Sequence, residues 1–236
     1  MNATPTPAQQ TALSILQHLQ TVDQERQRRL GDPQLSDTVA AVKAYQRQRF
    51  ADTYADLLAS ARYQSAARFF LDELYGPQDF SERDAQFTRV VPALARIFPK
   101  DVLHTVQTLA ELHALSEQLD TQMAGHLTPL TAGDRLSAEH YAKAWCATGQ
   151  PSARERQIAL TTALGKALDE YTAKPLLRHA LRMMRGPAKA AGLSSLQHFL
   201  ETGFDTFKAM RGSQEFMRIV GERERSLANT LFSDCP

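Results

Sequence analysis

The chain has 236 residues, with 27 basic and 26 acidic side chains and a formal net charge of +1. Ala and Leu, which favour helices, greatly outnumber Val and Ile, which favour strands. This composition excludes most folds built on β-sheets. The balanced charge argues against a nucleic-acid-binding protein, because such proteins are usually strongly basic. We therefore expect an all-α protein.

Gly, Pro and capping residues divide the chain into about nine or ten predicted helices. In chain order they cover residues 7–30, 36–61, 63–75, 81–98, 100–124, 137–148, 152–173, 174–186, 194–210 and 213–232. Pro92 is expected to kink or break the fourth helix. No linker is long enough to force a second domain. We expect one all-α domain over residues 1–236, a multi-helix bundle with frayed ends at 1–6 and 233–236.

The two cysteines, Cys146 and Cys235, are too few for a disulfide framework. We expect Cys146 to be a small buried apolar residue and Cys235 to lie in the frayed end. The N-terminal residues do not resemble a secretory signal, and the chain contains no apolar run of membrane-spanning length. These features predict a soluble cytoplasmic protein without membrane insertion.

One segment of the chain is distinctive. Its residues are Phe69-Phe70-Leu71-Asp72-Glu73-Leu74-Tyr75-Gly76-Pro77, followed by an Arg83-Asp84 pair. It resembles a family of uncharacterised bacterial proteins that share an FFLEELY motif, with Asp72 in place of the motif's first Glu. The stretch from Phe199 to Glu224 is similar to the end of those proteins. The resemblance implies a bacterial, helical protein and transfers no catalytic residues.

The turn after this segment has a structural interpretation. Gly76-Pro77 is typical of a helix end, where Gly adopts the left-handed conformation easily. Ser81 and Asp84 have the spacing of a capping box at the start of the next helix. These residues predict a corner between two helices.

Glu73 is harder to explain, because its helical angle places it at the edge of an apolar face. A carboxylate beside two Phe rings needs a nearby cation to remain ionised. Arg223 falls inside the apolar stripe of the last helix, and an unpaired buried Arg would be costly. We expect Glu73, or another acidic residue of the segment, to pair with Arg223 or Arg83. The alternative is that Arg223 extends to solvent from the edge of its stripe.

His113 shares a predicted helix face with Val102, Val106 and Leu109. A His in that position is usually a hydrogen-bonded core residue, and the alternative is a ligand pocket or haem site. The chain has no Glu-x-x-His motif of the kind that builds di-iron centres in helical bundles. We therefore expect no metal and no cofactor.

A basic stripe is the strongest electrostatic pattern in the sequence. It comprises Lys174, Arg178, Arg182, Arg185 and Lys189, which share one face if the helix continues through Gly186-Pro187. Such a face could contact phosphates, an anionic ligand or an acidic partner. The alternative is a solvated face, or one paired with acids of the N-terminal half.

Two classes of function remain open. The first is a non-enzymatic binding or protein-interaction module that uses the basic stripe or an internal pocket near the distinctive segment. The second is an enzyme or a haem- or small-ligand-binding protein with a site around Glu73, Tyr75, Arg83 and His113. The first is favoured because no catalytic motif is present. A protein partner or a homodimer is compatible with either class, whereas nucleic acid is not expected.

Overall fold

A computed structural model describes residues 5–74 and 80–235, and these residues form helices and no strand. The elements are α1 (Pro7–Leu30), α2 (Pro33–Thr53), α3 (Ala55–Ala59), α4 (Gln64–Phe69), a π-helical segment (Phe70–Leu74), α5 (Ser81–Ile97), α6 (Lys100–Ala124), α7 (Ala138–Thr148), α8 (Pro151–Thr172), α9 (Pro175–Met183), α10 (Arg185–Ala190), α11 (Ser194–Ala209) and α12 (Gln214–Ser233). The all-α prediction is confirmed. None of the described helices is long and apolar enough to cross a bilayer.

Local capping explains where the first helices begin. The Thr6 side chain accepts a hydrogen bond from the Gln9 amide, and the Gln9 side chain accepts one from the Thr6 amide, which completes a capping box before α1. The second helix begins at Pro33 and not at the predicted Ser36. The reason is that Asp32 accepts a hydrogen bond from the Leu35 amide, while Pro33 suits the first helical position.

Helix α6 lies at the centre of the fold. It packs against α1 along much of its length and also contacts α2, α7 and α8. The hydrophobic core has its largest aromatic cluster around Phe70, whose ring lies 5.5 Å from Phe216 and 6.4 Å from both Phe50 and Phe207, centroid to centroid. The distinctive sequence segment is therefore part of the core.

The structure corrects the prediction for the two cysteines. Cys146 in α7 and Cys235 after α12 form a disulfide, with their Cα atoms 5.4 Å apart. Cys235 is consequently tied to the body of the protein and is not frayed, and Cys146 is not a free thiol. The two residues are 89 positions apart, so the sequence contained no local signal that they would meet.

Two helix boundaries also differ from the predictions. Helix α5 continues past Pro92, which lies inside it without ending it. The predicted eighth helix divides at Met184 into α9 and α10, so it does not continue through Gly186-Pro187 as one helix. Pro187 instead lies in the first turn of α10, where a missing amide hydrogen is best tolerated.

Candidate functional site

A polar cavity of about 140 Å³ lies between the π-helical segment and the central helix α6. Helices α2, α5, α8, α11 and α12 also contribute to its wall. Its charged and amide-bearing lining residues are Lys43, Gln46, Glu73, Arg83, Asp84, His113, Glu117, Asp120, Gln157 and Glu224. This concentration of ionisable groups inside a Leu- and Phe-rich core is unusual, because charges are rarely buried unless they are paired.

Glu117 has a cation at each of its two carboxylate oxygens. Arg29 Nη2 lies 2.6 Å from one of its oxygens and Lys43 Nζ lies 2.5 Å from the other. Burial alone would raise the pKa of Glu117, but the two cations outweigh that effect and hold the pKa below its ordinary value. Glu117 is therefore ionised at neutral pH.

Asp84 connects α1, α5 and α6. Its Oδ2 accepts a hydrogen bond from Arg26 Nη2 at 2.7 Å and lies 3.0 Å from His113 Nε2. Burial opposes ionisation, yet His113 and Arg26 keep the pKa of Asp84 below its ordinary value. The predicted capping box is therefore wrong: α5 begins at Ser81, and the Asp84 carboxylate faces the core and its two basic neighbours.

His113 occupies the position that the sequence suggested for a hydrogen-bonded core residue, and it also lines the polar cavity. Its contact with Asp84 engages Nε2, so this nitrogen is not available to a haem iron without loss of that contact. Among residues 5–74 and 80–235 there is no group of three or more His, Cys, Asp or Glu side chains arranged to hold a metal ion.

Asp120 is the deepest carboxyl group of the polar cavity. Gln46 Nε2 donates a hydrogen bond to its Oδ1 at 2.9 Å. Burial raises the pKa of Asp120, and neighbouring cations do not offset that effect. The cavity thus contains a carboxyl group with a raised pKa close to the ionised Glu117.

Replacing Asp120 with Asn should make the protein relatively more stable as the pH rises. Since the folded pKa of Asp120 is raised, its contribution to stability is complete below 3.8 and is lost as the pH rises through the folded value. Asp120→Asn has no such loss. The unfolding free energy of the variant, relative to the wild type, should therefore rise by about 1.4 kcal/mol per pH unit between pH 3.8, the ordinary pKa of Asp, and the folded pKa of Asp120. Urea unfolding at several pH values measures the trend. The exposed Asp52→Asn variant is the control, and parallel curves for the wild type and Asp120→Asn would contradict the prediction.

Glu73 pairs with Arg83, one of its two predicted partners, with 3.1 Å between Oε2 and Nη1. The Arg83 guanidinium lies over the rings of Phe80 and Phe199, at 3.9 Å and 4.5 Å from their centroids. The helix becomes π-helical at Phe70, which changes the angular position of Glu73 relative to a regular α-helix. Tyr75, the other candidate of this segment, lies outside the described residues, as do Gly76 and Pro77.

Arg223 does not pair with Glu73. Its guanidinium forms two hydrogen bonds with the Asp56 carboxylate, at 2.7 Å and 2.8 Å, and donates to the Thr53 carbonyl. Arg223 lies at the edge of its apolar stripe, where a long side chain reaches the surface. The neighbouring Glu224 lines the polar cavity instead and accepts hydrogen bonds from Arg49 and from the Tyr54 hydroxyl.

An apolar cavity of about 310 Å³ lies beside the polar one, enclosed by α5, α6, α8, α9 and α11. The two cavities share several wall residues: Phe70, Phe87, Leu109, Thr161, Leu196 and Phe199. Phe98, Met184 and Leu200 line the apolar cavity and are also exposed to solvent, so they mark its opening. The distinctive segment thus forms part of the partition between a charged cavity and an apolar one.

The five residues of the basic stripe belong to α9, α10 and the residue before them. Arg178 pairs with Asp205 at 2.9 Å, and Arg185 binds both carboxylate oxygens of Glu201. Lys174 Nζ lies 5.3 Å from the centroid of the Tyr171 ring, whereas Arg182 and Lys189 are exposed. The alternative that the stripe pairs with acidic residues of the N-terminal half is wrong for Arg178 and Arg185, because Asp205 and Glu201 both belong to α11.

Several residues of the polar cavity were not predicted as site residues from the sequence, namely Lys43, Gln46, Glu117, Asp120 and Glu224. One signal was present: His113, Glu117 and Asp120 are spaced by four and three residues, which places them on one face of α6. The fact that this face points into the core depends on α6 being surrounded by other helices. That arrangement is not visible in the local pattern.

Comparison with known proteins identifies a family for this chain but no relative with an established activity. No match was found among curated proteins or among solved structures. A family model described as "Domain of unknown function (DUF8198)" matches residues 24–236. The matched region contains every residue that lines the polar and the apolar cavity. The chain belongs to this DUF8198 family.

Proposed function

We propose that this protein binds an amphipathic small molecule inside the helical bundle. The observation that carries the proposal is the pair of neighbouring cavities, which share Phe70, Phe199 and other wall residues. The apolar part of the ligand would occupy the apolar cavity and its polar group the charged one. Phe70 belongs to the segment that resembles the bacterial FFLEELY proteins, and the proposal gives that segment a role in ligand binding.

The dimensions and lining of the apolar cavity support this function. Sites for small molecules typically enclose about 300–1,000 Å³, are largely hydrophobic and contain a few well-placed polar groups. The apolar cavity has about 310 Å³ and is lined mainly by Leu, Val and Phe side chains. An apolar chain gains about 0.8 kcal/mol for each methylene group that it buries there.

The charges of the polar cavity favour a neutral polar group on the ligand. Glu73, Asp84 and Glu117 already contact cations, and Glu224 contacts Arg49. Burial raises the pKa of Asp120, so this carboxyl group opposes a further negative charge nearby. A charged ligand group would add an uncompensated charge, which is costly in a buried site. A hydroxyl or an amide could instead hydrogen-bond with His113, Lys43 or Gln46 without disturbing the existing pairs.

The proposal can be tested by filling the apolar cavity with a Val106→Phe substitution. Val106 is partly buried and lines this cavity, so the added ring should enter the space that the ligand would occupy. We expect binding of the neutral fluorescent probe N-phenyl-1-naphthylamine, and its displacement by 1-dodecanol, to weaken at least about tenfold, because tenfold corresponds to fewer than two buried methylene groups. The stability of the variant should remain within about 1 kcal/mol of the wild type, because cavity filling offsets the cost of the larger side chain.

Leu13→Phe is the matched control. Leu13 is an exposed residue of α1 that lines neither cavity, and its replacement should leave probe binding unchanged. Circular dichroism of both variants verifies that they are folded. A wild-type protein that fails to bind the probe, or a folded Val106→Phe protein that binds it equally well, would contradict the proposal.

A further inference from the structure

The opening of the apolar cavity is surrounded by exposed apolar side chains. Phe98, Met184 and Leu200 line the cavity and reach solvent at the same time. Three residues that each precede a cavity-lining residue in the chain are still more exposed: Ile97 at 74%, Leu176 at 82% and Met183 at 66%. Of the large exposed apolar residues in the part of the chain that the structure describes, the two others, Leu13 and Leu30, are on α1. The concentration at one opening marks this surface as an interaction site.

Basic side chains accompany this apolar surface. Residues 174–191 contain the five members of the basic stripe and no Asp or Glu. Arg96 and Lys100 flank Ile97 and Phe98 in the sequence, and both are exposed. Of the acidic residues nearby, Glu201 and Asp205 are bound to Arg185 and Arg178, whereas the exposed Asp101 follows Lys100 and partly offsets the basic charge. The surface therefore combines apolar side chains with an excess of positive charge.

Two ion pairs and a hydrogen bond connect this surface to α11. Arg185 and Arg178 connect α10 and α9 to α11, and Gln197 Nε2 donates a hydrogen bond to the Leu181 carbonyl of α9 at 2.7 Å. Met183 and Leu176 are exposed, whereas Leu177 and Leu181 line the cavity. Helices α9 and α10 and the residues beside them thus carry exposed apolar side chains as well as basic ones.

We propose that this mouth surface, formed by residues 96–100 and 174–190 with Leu200, binds peripherally to an anionic lipid bilayer. Exposed Leu, Met and Phe side chains would enter the interface between head groups and acyl chains, and the basic residues would contact lipid phosphates. A bilayer fits better than a folded acidic protein, because an apolar cavity opens at the centre of this surface. A lipid-derived amphiphile could then pass from the bilayer into the cavity without crossing water.

Co-sedimentation with vesicles tests this proposal. The full-length protein should bind vesicles of phosphatidylcholine mixed with phosphatidylglycerol, should bind weakly to pure phosphatidylcholine, and should dissociate as the salt concentration rises. The double variant Arg182→Glu/Lys189→Glu should have a vesicle partition coefficient at least about tenfold lower. The reason is that each basic residue near an anionic surface raises this coefficient by a factor of about five. The charge-neutral double variant Leu176→Gln/Met183→Gln should also weaken binding severalfold by removing apolar burial.

Two controls distinguish this surface from general electrostatics and from the proposed ligand site. Lys143→Glu/Arg218→Glu reverses two exposed charges on α7 and α12, helices that contribute no residue to the apolar cavity, and it should retain more vesicle binding than the Arg182→Glu/Lys189→Glu protein. Val106→Phe should bind vesicles normally, because Val106 lines the cavity but is not one of the residues that form the mouth surface. Equal binding to neutral and anionic vesicles, no effect of the mouth variants, or binding to polyglutamate in place of vesicles would overturn the proposal.

Discussion

Replacing Glu117 with Gln should lower the free energy of unfolding by about 3–5 kcal/mol, because it leaves buried cations without their counter-ion. Arg29 and Lys43 both contact this carboxylate, and Arg29 also donates to the Thr121 hydroxyl, so Arg29 cannot turn to water without losing a further contact. For a chain of this length, a loss of that size corresponds to a decrease in Tm of roughly 6–20 °C.

The pH dependence of the same variant provides a second test. Because the folded pKa of Glu117 is lowered, its stabilising contribution is present above the ordinary value of 4.5 and disappears as the pH falls through the folded value. The unfolding free energies of the wild type and Glu117→Gln should therefore converge in acid. Urea unfolding monitored by circular dichroism measures both effects.

Glu139→Gln is the matched control for Glu117→Gln. Glu139 forms an exposed ion pair with Lys143 at the surface of α7, and exposed pairs contribute little to stability because solvent screens them. The two variants make the same chemical change, so a difference between them isolates the effect of burial. Equal unfolding curves for the two variants would show that the polar cavity is hydrated enough to screen its charges.

The helix limits show what the sequence predicts well. The limits of α1 and α6 agree with the prediction, since each helix ends at a Gly and begins beside a Pro. The start of α2 and the division between α9 and α10 were missed. In both places a Pro in the first turn of a helix was interpreted as a boundary outside it.

The candidate site was predictable only in part. Glu73 and His113 were identified as polar residues on apolar faces, and both line the polar cavity. The sequence suggested that Arg223 of α12 faces the core, but it is Glu224 that lines the polar cavity. The two side chains are about 100° apart around the helix. Lys43 and Gln46 come from another helix, and their approach to Glu117 and Asp120 depends on how α2 packs against α6. Helix packing of this kind is not encoded in a local sequence pattern.

The disulfide raises the question of which compartment the protein occupies. The expected cytoplasmic localisation implies reduced cysteines, whereas a disulfide persists in an oxidising environment. Cys146 and Cys235 join α7 to the end of α12, and their bond closes a long loop of the chain. Its contribution to stability can be measured separately from localisation.

Reduction of the Cys146–Cys235 disulfide should lower the free energy of unfolding by about 4–5 kcal/mol, because it releases the constraint on a loop of 89 residues in the unfolded chain. Guanidinium unfolding with and without dithiothreitol measures the difference. The Cys146→Ser/Cys235→Ser variant should match the reduced wild type and should not respond to the reductant. Two thiols titrating in the denatured, unreduced protein would show that the disulfide is absent. A large oxidised-to-reduced difference would mean that the protein is in its less stable form in any reducing compartment.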